Sequence, residues 1–153
     1  MIQIGDYIPQ FTLPDADGKI YTTADFAGKK TVVYFYPKDN TSGCTKQACA
    51  FSDAYGEFQK LNVNIVGISK DSVKSHQNFR EKYSLPFILL SDPEKDVIQK
   101  FGVWKEKVLY GKPYMGVARS SFVFDENGKL IQVYEKADPV KNASEILEYL
   151  KSL

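Results

Sequence analysis

The sequence predicts an α/β sandwich in which a central mixed β-sheet is flanked by helices and preceded by an N-terminal β-hairpin. Two apolar runs, residues 31–36 and 64–69, are continuous and rich in β-branched and aromatic side chains, as in strands covered on both faces. A helical pattern separates them, and a second strand pair with an amphipathic helix closes the chain. A β-α-β start followed by a hairpin and a helix gives a sheet with parallel and antiparallel strands.

The elements of the first half follow from local patterns. Residues 11–13 and 20–21 are apolar and flank the turn-forming residues 15–18, which predicts the small N-terminal hairpin. After the strand at 31–36, one core-facing helical stripe is formed by Cys44, Ala48, Phe51, Tyr55 and Phe58. The helix that carries this stripe leads to the strand at 64–69.

The second half continues the alternation of helices and strands. A helix over residues 72–83 ends before Leu85, because Pro86 keeps the preceding residue out of the α region. The elements that follow are a strand at 87–90, a helix at 94–101, a hairpin of 121–124 with 130–134, and a helix at 142–153. This order matches a thioredoxin-like arrangement in one domain, residues 1–153. In such sheets the chemistry lies beyond the carboxyl ends of the strands, where Cys44 is expected.

Composition argues against several functions. The 153 residues include 20 basic and 19 acidic side chains without a block of like charge, which argues against nucleic acid as a partner. The N-terminus lacks the basic and apolar regions of a signal peptide, and no apolar run is long enough to cross a bilayer. We therefore expect a cytoplasmic protein without membrane contact.

The two cysteines point to chemistry rather than to a structural framework. Two cysteines cannot form the disulfide framework of a small secreted fold, and in a reducing compartment such a pair is more often catalytic or metal-binding. With His76 as the only histidine, the chain falls short of a four-ligand zinc set. We therefore expect no metal.

Cys44 is the most informative residue, because it stands where a strand and a polar turn give way to a helix. The unpaired amides and the positive end of a helix favour a thiolate over a thiol. A cysteine on an apolar stripe is often a plain packing residue. Here Pro37, Thr41, Gly43 and Cys49 surround it, and these neighbours favour a reactive thiol.

The same residues carry a resemblance to a known family. Pro37, Thr41 and Cys44 reproduce the Pro-x-x-x-Thr-x-x-Cys signature of peroxiredoxins, and residues 35–49 resemble the bacterioferritin comigratory protein, or peroxiredoxin Q, subfamily. Further strings that are similar to this subfamily lie at 84–87, 90–92, 101–104 and 116–122. Ser42 departs from the pattern, since proline is expected there.

The resemblance implies a thiol-dependent peroxidase. Cys44 would be the peroxidatic cysteine and Cys49 the resolving one, with Thr41 and Arg119 completing the peroxide pocket. A hydrogen or organic peroxide would oxidise Cys44 to a sulfenic acid, which would condense with Cys49 to an intramolecular disulfide. Thioredoxin or a glutaredoxin-like protein would reduce that disulfide, and no cofactor is implied. Because the resolving cysteine is internal, a monomer is expected.

Elementary chemistry gives the pocket residues consistent roles. Peroxide cleavage needs a thiolate, groups that hold the peroxide oxygens, and stabilisation of the departing hydroxide. Thr41 supplies a hydroxyl, and Gly43 lets backbone amides approach the substrate. Arg119 is one of two arginines, and its fixed fork of donors suits an anion. The ring of Pro37 would cover the thiolate and restrict water.

The spacing of the two cysteines predicts a conformational change. Five residues on an ideal helix correspond to about 7.5 Å of rise, which places the Cα atoms of Cys44 and Cys49 about 8 to 9 Å apart. A disulfide needs Cα atoms within about 7 Å of each other. The helix must therefore open when the two cysteines pair.

Two other functions stay open on the sequence alone. A protein disulfide oxidoreductase is disfavoured, because the spacing is Cys-x4-Cys and not Cys-x-x-Cys. A non-enzymatic redox sensor would use the same cysteines and would consume peroxide only stoichiometrically.

Several conspicuous side chains are interpreted as structural. His76 shares a helical stripe with Phe79, which indicates a packing residue and not a base or ligand. Trp104, Tyr110 and Tyr114 are expected in the core and the pocket lining.

Overall fold

Nine strands and four α-helices make up the computed structural model, which describes residues 1–153. The strands are β1 (Thr12–Pro14), β2 (Ile20–Thr22), β3 (Lys30–Phe35), β4 (Val63–Ser69), β5 (Ile88–Ser91), β6 (Trp104–Leu109), β7 (Lys112–Val117), β8 (Ser120–Phe124) and β9 (Leu130–Tyr134). The helices are α1 (Ser42–Lys60), α2 (Val73–Tyr83), α3 (Asp96–Lys100) and α4 (Asn142–Lys151). No helix combines the length and the apolar character that crossing a membrane requires.

A mixed sheet with the strand order β5-β4-β3-β8-β9 is the centre of the fold. Strands β3, β4 and β5 are parallel, whereas β8 and β9 run antiparallel to their neighbours. Strands β1 and β2 pair in the predicted N-terminal hairpin. This topology confirms the predicted mixed α/β class, and it brings the end of β3 beside the start of β8.

Alternate residues of β3 face two separate cores, since successive side chains of a strand point to opposite faces. Val32 and Tyr34 pack on one face with residues of α1, α2 and α4, and Cys44 belongs to this core. Val33 and Phe35 pack on the other face with residues of α3 and the N-terminal hairpin. Burial on both faces explains why the sequence of β3 is apolar throughout.

A buried carboxylate begins α3. Asp92 is 2 % exposed and accepts hydrogen bonds of 2.9 to 3.1 Å from the backbone N–H groups of Asp96, Val97 and Ile98. These are amides of the first helical turn, which have no partner within the helix. Burial raises the pKa of Asp92, and the three N–H groups act against that shift. The helix predicted at 94–101 is confirmed in a shorter form.

The hairpin of β6 and β7 was not predicted, and it corrects the interpretation of two aromatic residues. Tyr110 and Gly111 form its turn with φ of 51° and 75°, the two positive values that a tight hairpin turn requires. Tyr110 is 94 % exposed and Tyr114 is 47 % exposed. Their assignment to the core and pocket lining is therefore wrong.

Candidate active site

Cys44 is buried at the start of α1, beyond the carboxyl end of β3. Thr41 is the N-cap residue, so that Cys44 is the third residue of the helix and is 2 % exposed. The first helical hydrogen bond runs from the N–H of Thr45 to the carbonyl of Thr41 at 2.9 Å. The N–H groups before Thr45 have no partner within the helix, and they favour negative charge at this end.

Arg119 contacts the sulfur of Cys44 from a different part of the chain, the segment just before β8. It immediately precedes β8, whose Ser120 pairs with Phe35 at the end of β3. Its Nη2 donates to Cys44 Sγ at 3.3 Å. A guanidinium is always protonated, and a hydrogen bond to sulfur from such a donor stabilises the thiolate.

Gln47 holds Arg119 in place, and sequence reasoning missed it. Its side chain is fully buried, and its Oε1 accepts a 2.7 Å hydrogen bond from Nη1 of Arg119. The guanidinium is thus fixed at two nitrogens. A signal for this role is present in the sequence, since Gln47 stands one helical turn after Cys44, where two side chains share a face.

Gly43 makes room for the guanidinium. A Cβ atom at this position would lie 3.1 Å from Nη2 of Arg119 and 3.9 Å from Cγ of Pro139. The absence of a side chain therefore serves the approach of Arg119, a role that differs from the amide access expected from the sequence. Pro139 belongs to the loop before α4, which sequence reasoning did not connect with the site.

Thr41 and Pro37 lie in the loop between β3 and α1, which we call the site loop (residues 37–41). The Thr41 hydroxyl donates to the carbonyl of Lys38 at 3.0 Å and makes no capping bond to the helix. Its hydrogen is thereby engaged, and its oxygen remains an acceptor. Thr41 is exposed at the mouth of the site, whereas Pro37 is half-buried directly after Tyr36.

Cys49 lies apart from this group, although it belongs to the same helix. Both cysteines are free thiols of α1, and Cys49 is half-buried. Burial raises the pKa of the Cys49 thiol, and the charge of Asp53 raises it further. Gly43, Cys44 and Arg119 lie in contact, and Thr41 caps the same helix start. Cys49 is a free thiol farther along α1, at a spacing that an intact helix does not allow a disulfide to bridge.

A second cation stands near the thiol. Lys107, on β6, is half-buried, and burial lowers its pKa. The charge of Arg119 lowers that pKa further, while Cys44 acts in the opposite direction. The predicted strands did not include β6, so no sequence pattern connected this lysine with the site.

His76 is buried, as predicted, but it is more than a packing residue. Its Nδ1 lies 2.7 Å from Oδ2 of Asp39 in the site loop, and its Nε2 lies 2.9 Å from the carbonyl oxygen of Leu90. The interpretation from the helical stripe is corrected, because a fully buried imidazole requires hydrogen-bond partners.

The largest cavity is unrelated to this site. It has a volume of about 410 Å³, and its lining includes Phe26, Thr31 and Phe124. Thr31 stands at the start of β3, whereas Cys44 follows the other end of that strand. This cavity and Cys44 therefore lie toward opposite ends of β3.

A thiol that is buried at a helix start and hydrogen-bonded by a guanidinium, on a mixed sheet of this topology, is the arrangement expected of a thiol-dependent peroxidase with a thioredoxin-like fold. Comparison with known proteins agrees with this class. The AhpC/TSA family matches residues 4–133. Peroxiredoxin Bcp of Bacillus subtilis is 42% identical over 152 residues, which cover 99% of this chain and 97% of that protein.

Two further relatives extend the match. Peroxiredoxin Bcp of Escherichia coli K12 is 42% identical over 150 residues, 98% of this chain and 96% of that protein. A structure of the bacterioferritin comigratory protein of Xanthomonas campestris, described for its alkyl peroxide reduction activity, superimposes with a TM-score of 0.88 at 38% identity and covers 93% of this chain and 90% of that one. The chain belongs to the AhpC/TSA family, as a peroxiredoxin of the Bcp/PrxQ type. The resemblance drawn from the sequence is confirmed.

Proposed function

We propose that the Cys44 thiolate attacks the terminal oxygen of a peroxide. An S–O bond forms while the O–O bond breaks, and the departing hydroxide or alkoxide takes up one proton. Cys44 is thereby oxidised to a sulfenic acid, and the peroxide is reduced to water or an alcohol. The observation that supports this assignment best is the 3.3 Å hydrogen bond from Arg119 Nη2 to Cys44 Sγ.

The neighbours of the sulfur orient the substrate in this proposal. Arg119, fixed by Gln47, stabilises the thiolate before attack and the charge that develops on the peroxide oxygens. Thr41, whose own hydrogen is engaged by Lys38, accepts the hydrogen of the peroxide O–H group. The ring of Pro37 restricts water on the remaining side.

Cys49 resolves the sulfenic acid. The Cys49 thiol gives up its proton, and the resulting thiolate attacks the Cys44 sulfur. An S–S bond forms while the S–O bond breaks, and the departing hydroxide takes up a proton and leaves as water. A dithiol protein such as thioredoxin or a glutaredoxin-like protein then reduces the disulfide by exchange. Both cysteines belong to one chain, which supports a monomer as the working unit.

Hydrogen peroxide and organic hydroperoxides are the proposed substrates. The alkyl peroxide reduction described for the Xanthomonas relative supports the organic class. The exposed position of Thr41 leaves room for an organic substituent outside the pocket. A reducing compartment, the cytoplasm, fits a cycle that depends on two free thiols.

The test is repeated turnover. Wild-type protein with thioredoxin, its reductase and NADPH should consume many equivalents of peroxide, and Cys44→Ser should abolish consumption. Arg119→Lys should keep the charge but slow the attack, because the paired donors are lost. A single equivalent consumed by the wild type would favour a redox sensor instead, and turnover by Cys44→Ser above about a tenth of wild type would refute the assignment.

Mass spectrometry after one equivalent of peroxide identifies the resolving residue. The wild type should lose two hydrogens, whereas Cys49→Ala should gain one oxygen at Cys44. An unchanged disulfide yield in Cys49→Ala could come only from Cys44 of a second molecule, and it would contradict the resolving role of Cys49.

A further inference from the structure

A buried polar cluster lies behind the site loop and takes no part in the peroxide chemistry described above. Its centre is the carboxylate of Asp39, which is 6 % exposed, and the imidazole of His76, which is fully buried. Oδ1 of Asp39 accepts from the Tyr36 hydroxyl at 2.6 Å. Oδ2 accepts from the Ser75 hydroxyl at 2.8 Å and lies 2.7 Å from Nδ1 of His76.

The positions of the hydrogens fix the charge of this pair. Nε2 of His76 faces the carbonyl oxygen of Leu90 at 2.9 Å, and a carbonyl only accepts, so Nε2 carries a hydrogen. Nδ1 faces a carboxylate oxygen, and a second hydrogen must lie between them. Asp39 already accepts from two hydroxyls, an environment that stabilises its ionised form. The second hydrogen therefore belongs to His76, which makes the ring an imidazolium.

The surrounding groups are consistent with this assignment. Burial raises the pKa of Tyr36 and the charge of Asp39 raises it further, so the phenol keeps the hydrogen that it donates. Tyr36 is 3.5 Å from Nδ1, a much longer separation than its 2.6 Å contact with Asp39. The carboxylate of Asp71, in the segment before α2, accepts hydrogen bonds from the backbone N–H of Asp39 and from the hydroxyl of Ser69.

We propose that His76 and Asp39 are a buried ion pair that positions the site loop. The pair thereby holds Thr41 and the start of α1 in the orientation that attack on the peroxide requires. This inference rests on the proposed function, since it assigns positioning residues to the same reaction.

The anchoring runs through elements that do not contain Cys44. The N–H of Asp39 donates to Asp71 at 2.9 Å, and Asp71 accepts from Ser69 at the end of β4. Asn40 follows in the left-handed conformation with φ of 60°, and the Tyr83 hydroxyl of α2 donates to its side chain at 3.1 Å. A strained residue of this kind persists only when its surroundings fix it. Thr41, which comes next, caps α1.

The same residues do not suit a metal ion. The ligand atoms of Asp39, Asp71 and His76 lie within 4.8 Å of one another. Both oxygens of Asp39 already face hydrogen-bond donors, and both ring nitrogens of His76 carry hydrogens in the arrangement above. A cation would have to displace these hydrogens, whereas the ion pair uses all of them.

The charge state can be read directly, because His76 is the only histidine of the chain. Long-range 15N–1H correlation spectra of the reduced, 15N-labelled wild type should give two protonated-type ring nitrogens at neutral pH. One unprotonated-type nitrogen would overturn the ion pair. Adding one equivalent of Zn²⁺ should leave both signals unchanged, and a zinc-induced shift would overturn the proposal in favour of a metal site.

The positioning role is tested with Asp39→Asn. The rate constant for peroxide attack should fall by about 10- to 100-fold, as expected when a reacting group is displaced. Alkylation of Cys44 by iodoacetamide, which needs the thiolate but no peroxide geometry, should change far less. Asp17→Asn is the matched control, because Asp17 binds Arg80 of α2 at the surface and should leave both rates unchanged.

Ser75→Ala removes only one hydrogen-bond donor to Asp39. It replaces Asp39→Asn in this test if circular dichroism shows that Asp39→Asn does not fold. A smaller loss of attack rate, about threefold to tenfold, is expected for it. A wild-type attack rate in Asp39→Asn, or in Ser75→Ala as its substitute, would overturn the positioning role. Failure of the proposed function itself would appear separately, as retained turnover in Cys44→Ser, and would leave the ring-nitrogen result unaffected.

Discussion

The guanidinium of Arg119 lies close to the point at which a side chain of residue 43 would begin. The guanidinium passes 3.1 Å from where a Cβ of residue 43 would lie, and it is held there by Gln47 and by the sulfur. Contacts this short are rare for real Cβ atoms, so that one methyl group at position 43 requires the guanidinium to move by a few tenths of an ångström.

Gly43→Ala should slow peroxide attack by about tenfold, because Arg119 is displaced from both the sulfur and the substrate. Stopped-flow measurement of sulfenic acid formation gives the rate.

Gly56→Ala is the control on the same helix. Gly56 is exposed, and nothing lies within 4 Å of the point that a Cβ atom would occupy there, so its variant should attack peroxide at the wild-type rate. It should also gain about 0.5 to 1 kcal/mol of stability from the better helix propensity of alanine. Equal attack rates in both alanine variants would contradict the role given to Gly43.

Asp53 contributes to the raised pKa of the Cys49 thiol, the proposed resolving group. The pKa of Cys49 is raised by burial and by Asp53, so that less thiolate is present at any pH below that pKa. Disulfide formation should therefore accelerate as the pH rises and level off above the pKa of Cys49. Asp53→Asn should shift this profile to lower pH and raise the neutral rate about twofold, a small effect because Asp53 is exposed.

Two-phase kinetics check this prediction. Stopped-flow traces across pH separate peroxide attack from disulfide formation, and only the second phase should differ between Asp53→Asn and wild type. Superimposable second phases would mean that Asp53 no longer faces Cys49 in the state that reacts.

At the scale of elements, α3 depends on one carboxylate. Asp92 accepts from three backbone N–H groups of a helix of five residues, too short to be stable by itself. Asp92→Ala should lower the free energy of unfolding by about 1 to 2 kcal/mol, as for the loss of a strong helix cap. Urea unfolding measures the loss of free energy. Asp96 belongs to the same helical turn, and Asp96→Ala should lower the free energy of unfolding by less. Equal losses in the two variants would show that Asp92 does not cap α3.

The elements predicted most accurately from the sequence are those whose buried apolar residues form a strong, regular pattern. Strand β3 was placed within one residue of its bounds, and the predicted stripe from Cys44 to Phe58 lies within α1, because both apolar patterns are strong. The hairpin of β6 and β7 was missed, since its turn is Tyr110-Gly111 and not the usual Asn-Gly, and its surface is exposed.

Site contacts were harder to predict than elements. The sequence connected Cys44 with Arg119 only through the resemblance to a known family, because 75 positions separate the two residues. The pairing of Asp39 with His76 spans 37 positions, and nothing in the local pattern distinguishes a hydrogen-bonded histidine from a packed one. Side-chain networks of this kind depend on strand order, which local patterns do not encode.

At the scale of the whole molecule, oxidation should change one segment and spare the rest. Both cysteines lie within the continuous helix α1, whose geometry keeps their Cα atoms beyond disulfide reach, about 7 Å. Opening two turns gives up several backbone hydrogen bonds of about 1 kcal/mol each, so the reduced protein should be the more ordered form.

Hydrogen exchange locates the change. Amides at positions 45–52 should lose protection after one equivalent of peroxide, while those of β3 should keep theirs. Cys49→Ala is the control, since it is oxidised without forming the disulfide and should retain protection. Equal protection of 45–52 in the reduced and oxidised wild type would contradict the pairing of Cys44 with Cys49.

The separation of Arg119 from Cys44 also bears on how the protein is made. During synthesis, Cys44 leaves the ribosome 75 residues before the side chain that donates to its sulfur, and β8 must join β3 before the two can meet. A nascent chain that ends before residue 119 therefore carries the thiol without its guanidinium partner. The arrangement proposed to react with peroxide is assembled only after β8 has paired with β3.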